Sequence, residues 1–355
     1  ATRRSLWRGP RLDGITYSLL CKFLQCPERF RLQVVEGLRE PHEWNYHIEY
    51  GNLFHAAEEA RLGGKPWQPA LSAYYTRLRA KYPANERDIT RWYLLCKMQF
   101  PLYVQHWQKH ETEVGCRSIY EEKPFRMEYK LSAPPYGGGD DIRVILRGKL
   151  DSAYEKQNWI WLKENKTKGE IDPEGISTTV DQNLQTMMYH IALRHLLTDP
   201  NENTILDRKQ NIKVRTYPIE RIAGTVYNVI RRPLSDRNAP RQKKKESDTV
   251  FIGRVGESIA AEPHKHFYRW IVPVSDRHIR RFQVETFDPL LRRLVAWWDA
   301  FNGDPFSPEK NPYHFRYPFG AYHALERGYR GDFFKLLTTG SKAGLERTEN
   351  LFPEL

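Results

Sequence analysis

A chain of 355 residues with 40% hydrophobic content can bury a substantial core, as one large domain or two small ones. Its net charge of +12 and pI near 9.4 point to a polyanionic partner, although a basic surface that binds nothing has the same composition. No apolar run approaches the roughly 18 residues of a membrane span, and the opening ATRRSLWRGPRL lacks a signal-peptide core, so a cytoplasmic chain without a membrane partner is expected. The four cysteines, Cys21, Cys26, Cys96 and Cys116, have no short paired spacing and read as free thiols in a reducing compartment.

Residues 15–40 read as helical, with Leu19, Leu20, Phe23, Leu24 and Phe30 arranged around a break at Cys26-Pro27. A second helix should begin near Tyr50, carry Phe54, His55, Ala56, Glu59 and Leu62, and stop at Gly63-Gly64-Lys65-Pro66. Residues 70–110 continue as helix, including an amphipathic stretch from Trp92 to His110. The period changes near Ser118. SIYEEKPFRMEYK alternates as a strand does, PPYGGGDD follows as a loop, and Ile142 to Lys168 form a hairpin.

A helix over about Thr178 to Leu197 comes next, then two strand-like runs within residues 212–232, IKVRTYPI and GTVYNVI. The basic, Pro-containing tract from Arg231 to Lys245 reads as a loop. A long helix spans about Ser275 to Phe301, and the tail from Gly303 is irregular and rich in Pro, Gly and aromatics. This order predicts one mixed sheet with helices packed on it. The expected division is a helical region over 1–117, a sheet core over 118–232 and a C-terminal segment over 233–355, packed as one unit.

The chemistry concentrates in RGKLDSAYEKQNWIWLKENKTKGE, residues 147–170. Gln157-Asn158 makes a two-residue loop between strand-like flanks. Pairing outward from it places Lys156 opposite Trp159, Tyr154 opposite Trp161 and Asp151 opposite Glu164. Alternation then puts Lys166 on the face of Glu164 and turns Asn165 away. Two acids at cross-strand distance repel unless a cation sits between them, so the pattern is that of a Mg²⁺ or Mn²⁺ site with a lysine beside it. Taken singly, the same residues have plainer readings. Asp151–Lys166 and Glu164–Lys149 make ordinary cross-strand ion pairs, and His55 makes a hydrogen-bonded core histidine. Glu59 either orients His55 from one helical turn away or pairs with Arg61.

Asp151, Glu164 and Lys166 fit the D-x(n)-(D/E)-x-K pattern, and the chain resembles the PD-(D/E)xK nuclease superfamily, in particular its RecB-like exonuclease branch. Gly51-Asn52-Leu53-Phe54-His55 with Glu59 resembles that branch's G-x-x-x-H-x-x-x-E helix. Gln185 to Tyr189 resembles its Q-x-x-x-Y helix, and ITYSLLCKFLQCPERFRLQVVEGL its N-terminal segment. The four blocks fall in the family's order over residues 15–189. Many relatives also hold an iron–sulfur cluster through one early and three late cysteines. Asn311 to Tyr322, where the late ones would lie, contains none, so Cys26 has no cluster partners and no iron–sulfur cluster is expected.

The resemblance implies an α/β fold with a restriction-endonuclease-like core, a mixed central sheet flanked by helices, and N-terminal and inserted helical segments. It implies Asp151 and Glu164 as metal carboxylates, His55 and the Asn165 carbonyl as further ligands, and Lys166 as the group that orients or deprotonates the attacking water. A cation nearby would favour the neutral amine of Lys166. Gln185 and Tyr189 would contact DNA backbone or position Lys166. Arg231, Arg232, Arg237, Arg241, Lys243, Lys244 and Lys245 form a loop able to follow phosphates.

The expected function is a Mg²⁺- or Mn²⁺-dependent deoxyribonuclease, foremost an exonuclease on DNA ends or single strands in recombination, repair or phage DNA processing, with a helicase or recombinase as partner. The rivals are a structure-specific or restriction-type endonuclease and a DNA-binding subunit that no longer cuts. No Walker A loop occurs, so ATP hydrolysis by this chain is not expected.

Overall fold

The computed structural model describes residues 5–41, 43–109, 115–132, 141–172, 174, 183–199, 204–205, 213–214, 221–235, 239–314 and 333–352. The PPYGGGDD loop up to residue 140, residues 178–182 of the helix expected from Thr178, most of IKVRTYPI, Arg237 and the tail from Phe315 to Tyr322 lie outside the described residues.

The N-terminal region is helical as the sequence indicates. Helix α1, Tyr17–Gln25, is capped by Thr16, whose hydroxyl accepts from the Leu19 amide. It ends at the Cys26-Pro27 break, where the Cys26 sulfur accepts the Arg29 amide and caps a single turn, Pro27–Phe30. Helices α2, Tyr46–Leu62, α3, Trp67–Lys81, and α4, Glu86–Lys109, pack on one another around Tyr50, Phe54, Phe100 and Tyr103.

Five strands follow in one mixed sheet: β1, Arg117–Lys130; β2, Arg143–Lys156; β3, Trp159–Lys168; β4, Ile222–Arg231; and, beyond α5 and α6, β5, Phe267–Pro273. Spatial order follows chain order. All neighbours are antiparallel except β3 and β4, which run parallel around the crossover that contains α5, Leu184–Thr198. Helix α6, Asp248–Ala261, joins the helical layer of α2–α4. The other face is covered by α1, α5, α7, Asp276–Phe282, and α8, Asp288–Asp299. The long helix expected from Ser275 is thus α7 and α8 joined by a π-turn over Gln283–Phe287. Helix α6 and strand β5 were not anticipated. Two glycines interrupt the apolar spacing of α6, and β5 is an edge strand with little burial contrast between its faces.

The hairpin register is the one read from the sequence. Gln157 and Asn158 both take positive φ, 51° and 66°, as a two-residue turn that matches strand twist requires. Lys156 pairs with Trp159 and Tyr154 with Trp161. The ladder then stops at Ser152–Lys163. Beyond that rung β2 stays with β1 and β3 with β4, so the two strands part into a fork. On the freed edge of β2, Ile15 exchanges backbone hydrogen bonds with Ile145 and Arg147. Among the described residues no helix is long and apolar enough to cross a membrane.

Candidate metal centre

The expected catalytic residues meet where β2 and β3 separate. Asp151 is the first residue past the last shared rung, and instead of a ladder bond its Oδ2 accepts the Asn165 amide at 2.8 Å. The Asn165 side chain points away from Glu164, as alternation requires, and its Oδ1 accepts from Asn228 Nδ2. Glu164 is fully buried. Lys166 Nζ lies 2.5 Å from Glu164 Oε1 and donates to Gln185 Oε1 at 2.9 Å. Gln185 in turn donates to the Tyr189 hydroxyl at 3.1 Å. The two helix residues at i and i+4 therefore form a hydrogen-bonded chain that ends on Lys166.

An acid that the sequence did not single out lies beside them. Glu122 on β1 lies across from Asp151, between the rungs Glu121–Ser152 and Lys123–Leu150. Its φ of 43° is left-handed, rare for a side chain of this kind, and marks a kink of the edge strand. On one side of the kink the core-facing residues are Phe125, Met127 and Tyr129 with Val144, Leu146 and Leu150. On the other side they are Tyr120 and Ala153, shifted by one position on both strands. The inversion brings Glu122 and Asp151 together beneath His55 of α2. His55, Glu122 and Asp151 offer ligand atoms that all lie within 4.8 Å of one another. His55 Nδ1 is 3.5 Å from Glu122 Oε1, and Lys149 Nζ is 2.5 Å from Glu122 Oε2. Gly51, one turn before His55, lets α2 approach the sheet, since a Cβ there would stand 3.0 Å from Thr167 Oγ1.

The electrostatics are those of a place that attracts cations. Burial alone would lower His55, but Asp151 and Glu122 raise it to about 9. Burial, then the charge of Asp151, pushes Glu164 above the usual carboxylate range against the opposing pull of Lys166. Burial likewise disfavours the Lys166 ammonium, yet Glu164 and Asp151 hold its pKa above the usual lysine value. The neutral amine expected beside a cation is thus not the form favoured by the carboxylates alone. Both Glu164 oxygens are buried without a hydrogen-bond partner, although Lys166 lies against one of them. The imidazole of His55 and the carboxylates of Glu122 and Asp151 form a donor set that fits Mg²⁺ or Mn²⁺, and the orphaned Glu164 oxygens stand beside Lys166.

The remaining expected residues are placed differently. Glu59 is exposed on α2, and its neighbour Glu58 is the buried acid, binding Arg61, Lys163 and Tyr103. The acid beside the His55 ring is Glu122. Arg231 and Arg232 spend donors on the carbonyls of Gly169 and Thr167, at the end of β3, whereas Lys243, Lys244 and Lys245 are exposed just before α6. The adjacent acids of EEKPF, inside an otherwise alternating strand, were the one sequence signal for Glu122.

Replacing Glu122 with glutamine keeps its size and removes one carboxylate from the cluster. Mn²⁺ affinity measured by titration calorimetry is expected to fall roughly 10- to 100-fold. An unchanged affinity would reduce Glu122 to a partner of Lys149.

A search of curated proteins returned no match to this chain. A family model of the PD-(D/E)XK nuclease superfamily matches residues 15–311, a span that contains every residue of the fork and its metal cluster. With the matching mixed sheet and the acid–acid–lysine hairpin in place, the chain belongs to the PD-(D/E)XK nuclease superfamily.

Proposed function

We propose that the chain is a Mg²⁺- or Mn²⁺-dependent deoxyribonuclease of the RecB-like kind, acting as an exonuclease on DNA ends or single strands. The observation that supports it most is the convergence of Asp151, Glu164, Lys166 and His55 on one fork, with Lys166 held by Gln185. A subunit that has given up cutting has no use for all four.

Asp151, Glu164, His55 and Glu122 would hold the metal, with the Asn165 carbonyl as a further ligand. A bound divalent cation supplies charge neutralisation at the phosphate and an acidified water. The chain's own part is positional. Glu164 and Gln185 fix the Lys166 ammonium, which meets the charge that builds on the phosphate and orients the attacking water. The exposed Lys243, Lys244 and Lys245 lead the DNA backbone towards the fork. A role in recombination, repair or phage DNA processing, alongside a helicase or recombinase, fits this activity.

End-labelled linear single strands, linear duplex and a closed circle, each with Mg²⁺, Mn²⁺ or EDTA, test the proposal. Metal-dependent loss of the linear substrates alone is expected. Cutting of the circle would move the assignment to an endonuclease, and binding without cutting would overturn the catalytic reading.

A further inference from the structure

The side chain of Lys166 is 32% exposed, so a substrate can reach it from one side. The neighbouring strands set what that substrate meets. In register, Glu164 lies beside Tyr227 and Tyr227 beside Trp270. Two residues on, Lys166 lies beside Val229 and Val229 beside Tyr268. Residues abreast in a sheet share a face. Two rings of the edge strand β5 therefore stand on the face of Lys166, two strands or about 10 Å away. The packing agrees: Tyr227 and Val229 form a small cluster with Ile171, Trp270 and Val272, distinct from the core beneath α1 and α5.

Where this row nears solvent it consists of rings. Trp270 and Tyr268 are half-buried, with ring centroids 3.8 Å apart. Lys168 Nζ stands 5.8 Å from the centroid of the Tyr227 ring. Tyr17 of α1 reaches the same place, its hydroxyl within electrostatic range of both Lys166 and Tyr227. Half-open ring faces beside a phosphate-handling lysine suit nucleobases, because every base has a π-face and stacking tolerates any sequence. They do not suit intact duplex. Its bases are paired and stacked on one another, and each must leave the stack before a protein ring can meet its face.

We propose that Tyr227, Trp270 and Tyr268 form a stacking platform for unpaired bases of the strand being cut, so that the chain selects single-stranded DNA over duplex. The proposal rests on the nuclease reading for the place of the scissile phosphate, at Lys166. From there the backbone follows β3 past Lys168, and the base beside the cut reaches across β4 to lie on Trp270. Trp270 is the anchor, being the largest ring of the row and packed between Tyr227 and Tyr268.

The test is fluorescence anisotropy on the full chain in EDTA, where no cleavage occurs, with three labelled dodecamers: oligo-dT, an abasic strand and a duplex. Wild type is expected to bind oligo-dT more tightly than the abasic strand, which carries the same phosphates and no rings. Trp270→Ala is expected to weaken oligo-dT binding roughly 5- to 100-fold, the worth of one stacked base, and to leave the other two probes unchanged. Trp270→Phe should restore most of the loss. A loss shared by all three probes assigns Trp270 to packing of the sheet edge and overturns the proposal. Equal wild-type affinity for oligo-dT and the abasic strand overturns it too, with no variant needed. Cleavage with Mg²⁺ separates the two readings. Single strands cut with unchanged kcat/KM in Trp270→Ala remove the platform and leave the nuclease standing. Failure to cut any DNA while the preference for bases holds counts against the nuclease reading alone.

Discussion

Lys166→Ala is expected to lower metal-dependent DNA cleavage by about a thousandfold or more while DNA binding changes by a few-fold at most. The estimate combines two contributions that the side chain is placed to make. Proton transfer or orientation of the attacking water accounts for roughly 10²–10⁴ in rate. A charge aimed at the developing phosphorane adds a factor of similar size, although one residue does not deliver both in full. The lysine is held for this on two sides, by Glu164 Oε1 at 2.5 Å and Gln185 Oε1 at 2.9 Å. Removing it does not strand a bare charge. Burial and Asp151 already push Glu164 upward, so in the metal-free variant that carboxyl takes a proton instead. The variant should therefore fold, and single-turnover cleavage of end-labelled DNA at saturating Mg²⁺ reads the chemistry alone. Activity within tenfold of wild type would remove Lys166 from the catalytic set.

Gln185→Ala offers the graded counterpart, since it loosens the lysine without deleting it. The effect should fall between wild type and Lys166→Ala, and it should appear in kcat more than in KM. That split separates a residue that positions Lys166 from one that binds the DNA backbone.

How far the site could be read in advance depended on which interactions are local. The hairpin was legible because a two-residue loop fixes the register of everything that pairs outward from it. Lys156–Trp159 and Tyr154–Trp161 followed from Gln157-Asn158 alone. Where the ladder would stop was not legible. Periodicity describes a strand's own faces, and the fork at Ser152–Lys163 arises because β2 and β3 are claimed by different neighbours, β1 and β4. Glu122 was missed for a related reason. Its contribution depends on one left-handed residue that reverses the pleat of two strands, a non-local kink that no alternation pattern contains. The contrast between Glu58 and Glu59 was not legible either, since on a helix one position is a rotation of about 100°. Glu58 faces the sheet and Lys163, whereas Glu59 faces solvent. The basic tract was recognised as a composition, but its described members divide between Arg231 and Arg232, which bind the end of β3, and Arg241, Lys243, Lys244 and Lys245, which are exposed.

The second large effect is on stability. Arg31→Met is expected to cost about 3–5 kcal/mol, because it leaves two buried carboxylates without their shared cation. Arg31 is 6% exposed, and its guanidinium binds Glu28 Oε2 at 2.8 Å and Glu36 Oε1 at 2.6 Å. The same acids reach the C-terminal part of the chain, Glu28 through His314 Nε2 at 2.8 Å and Glu36 through Lys342 Nζ at 3.0 Å. Arg31 thus anchors a network that ties the segment after α1 to the segment after α8. The pH dependence distinguishes this from a simple packing defect. Burial would raise Glu28, but His314 and Arg31 hold it at about 2, and Glu36 is lowered by Lys342 and Arg31 against its own burial. Folded values below the unfolded value, about 4.3 for glutamate, mean that this stabilisation is fully present above about pH 4.3 and is lost as pH falls towards 2. Without Arg31 both acids titrate closer to, or above, their unfolded values, so the variant lacks that acid-side loss. The gap in melting temperature between wild type and Arg31→Met should accordingly be widest near neutral pH and narrow steadily between pH 5 and about 3. A gap that stays constant across that range would assign the cost to lost volume at Arg31 and leave the ion network with no part in joining the two ends of the fold.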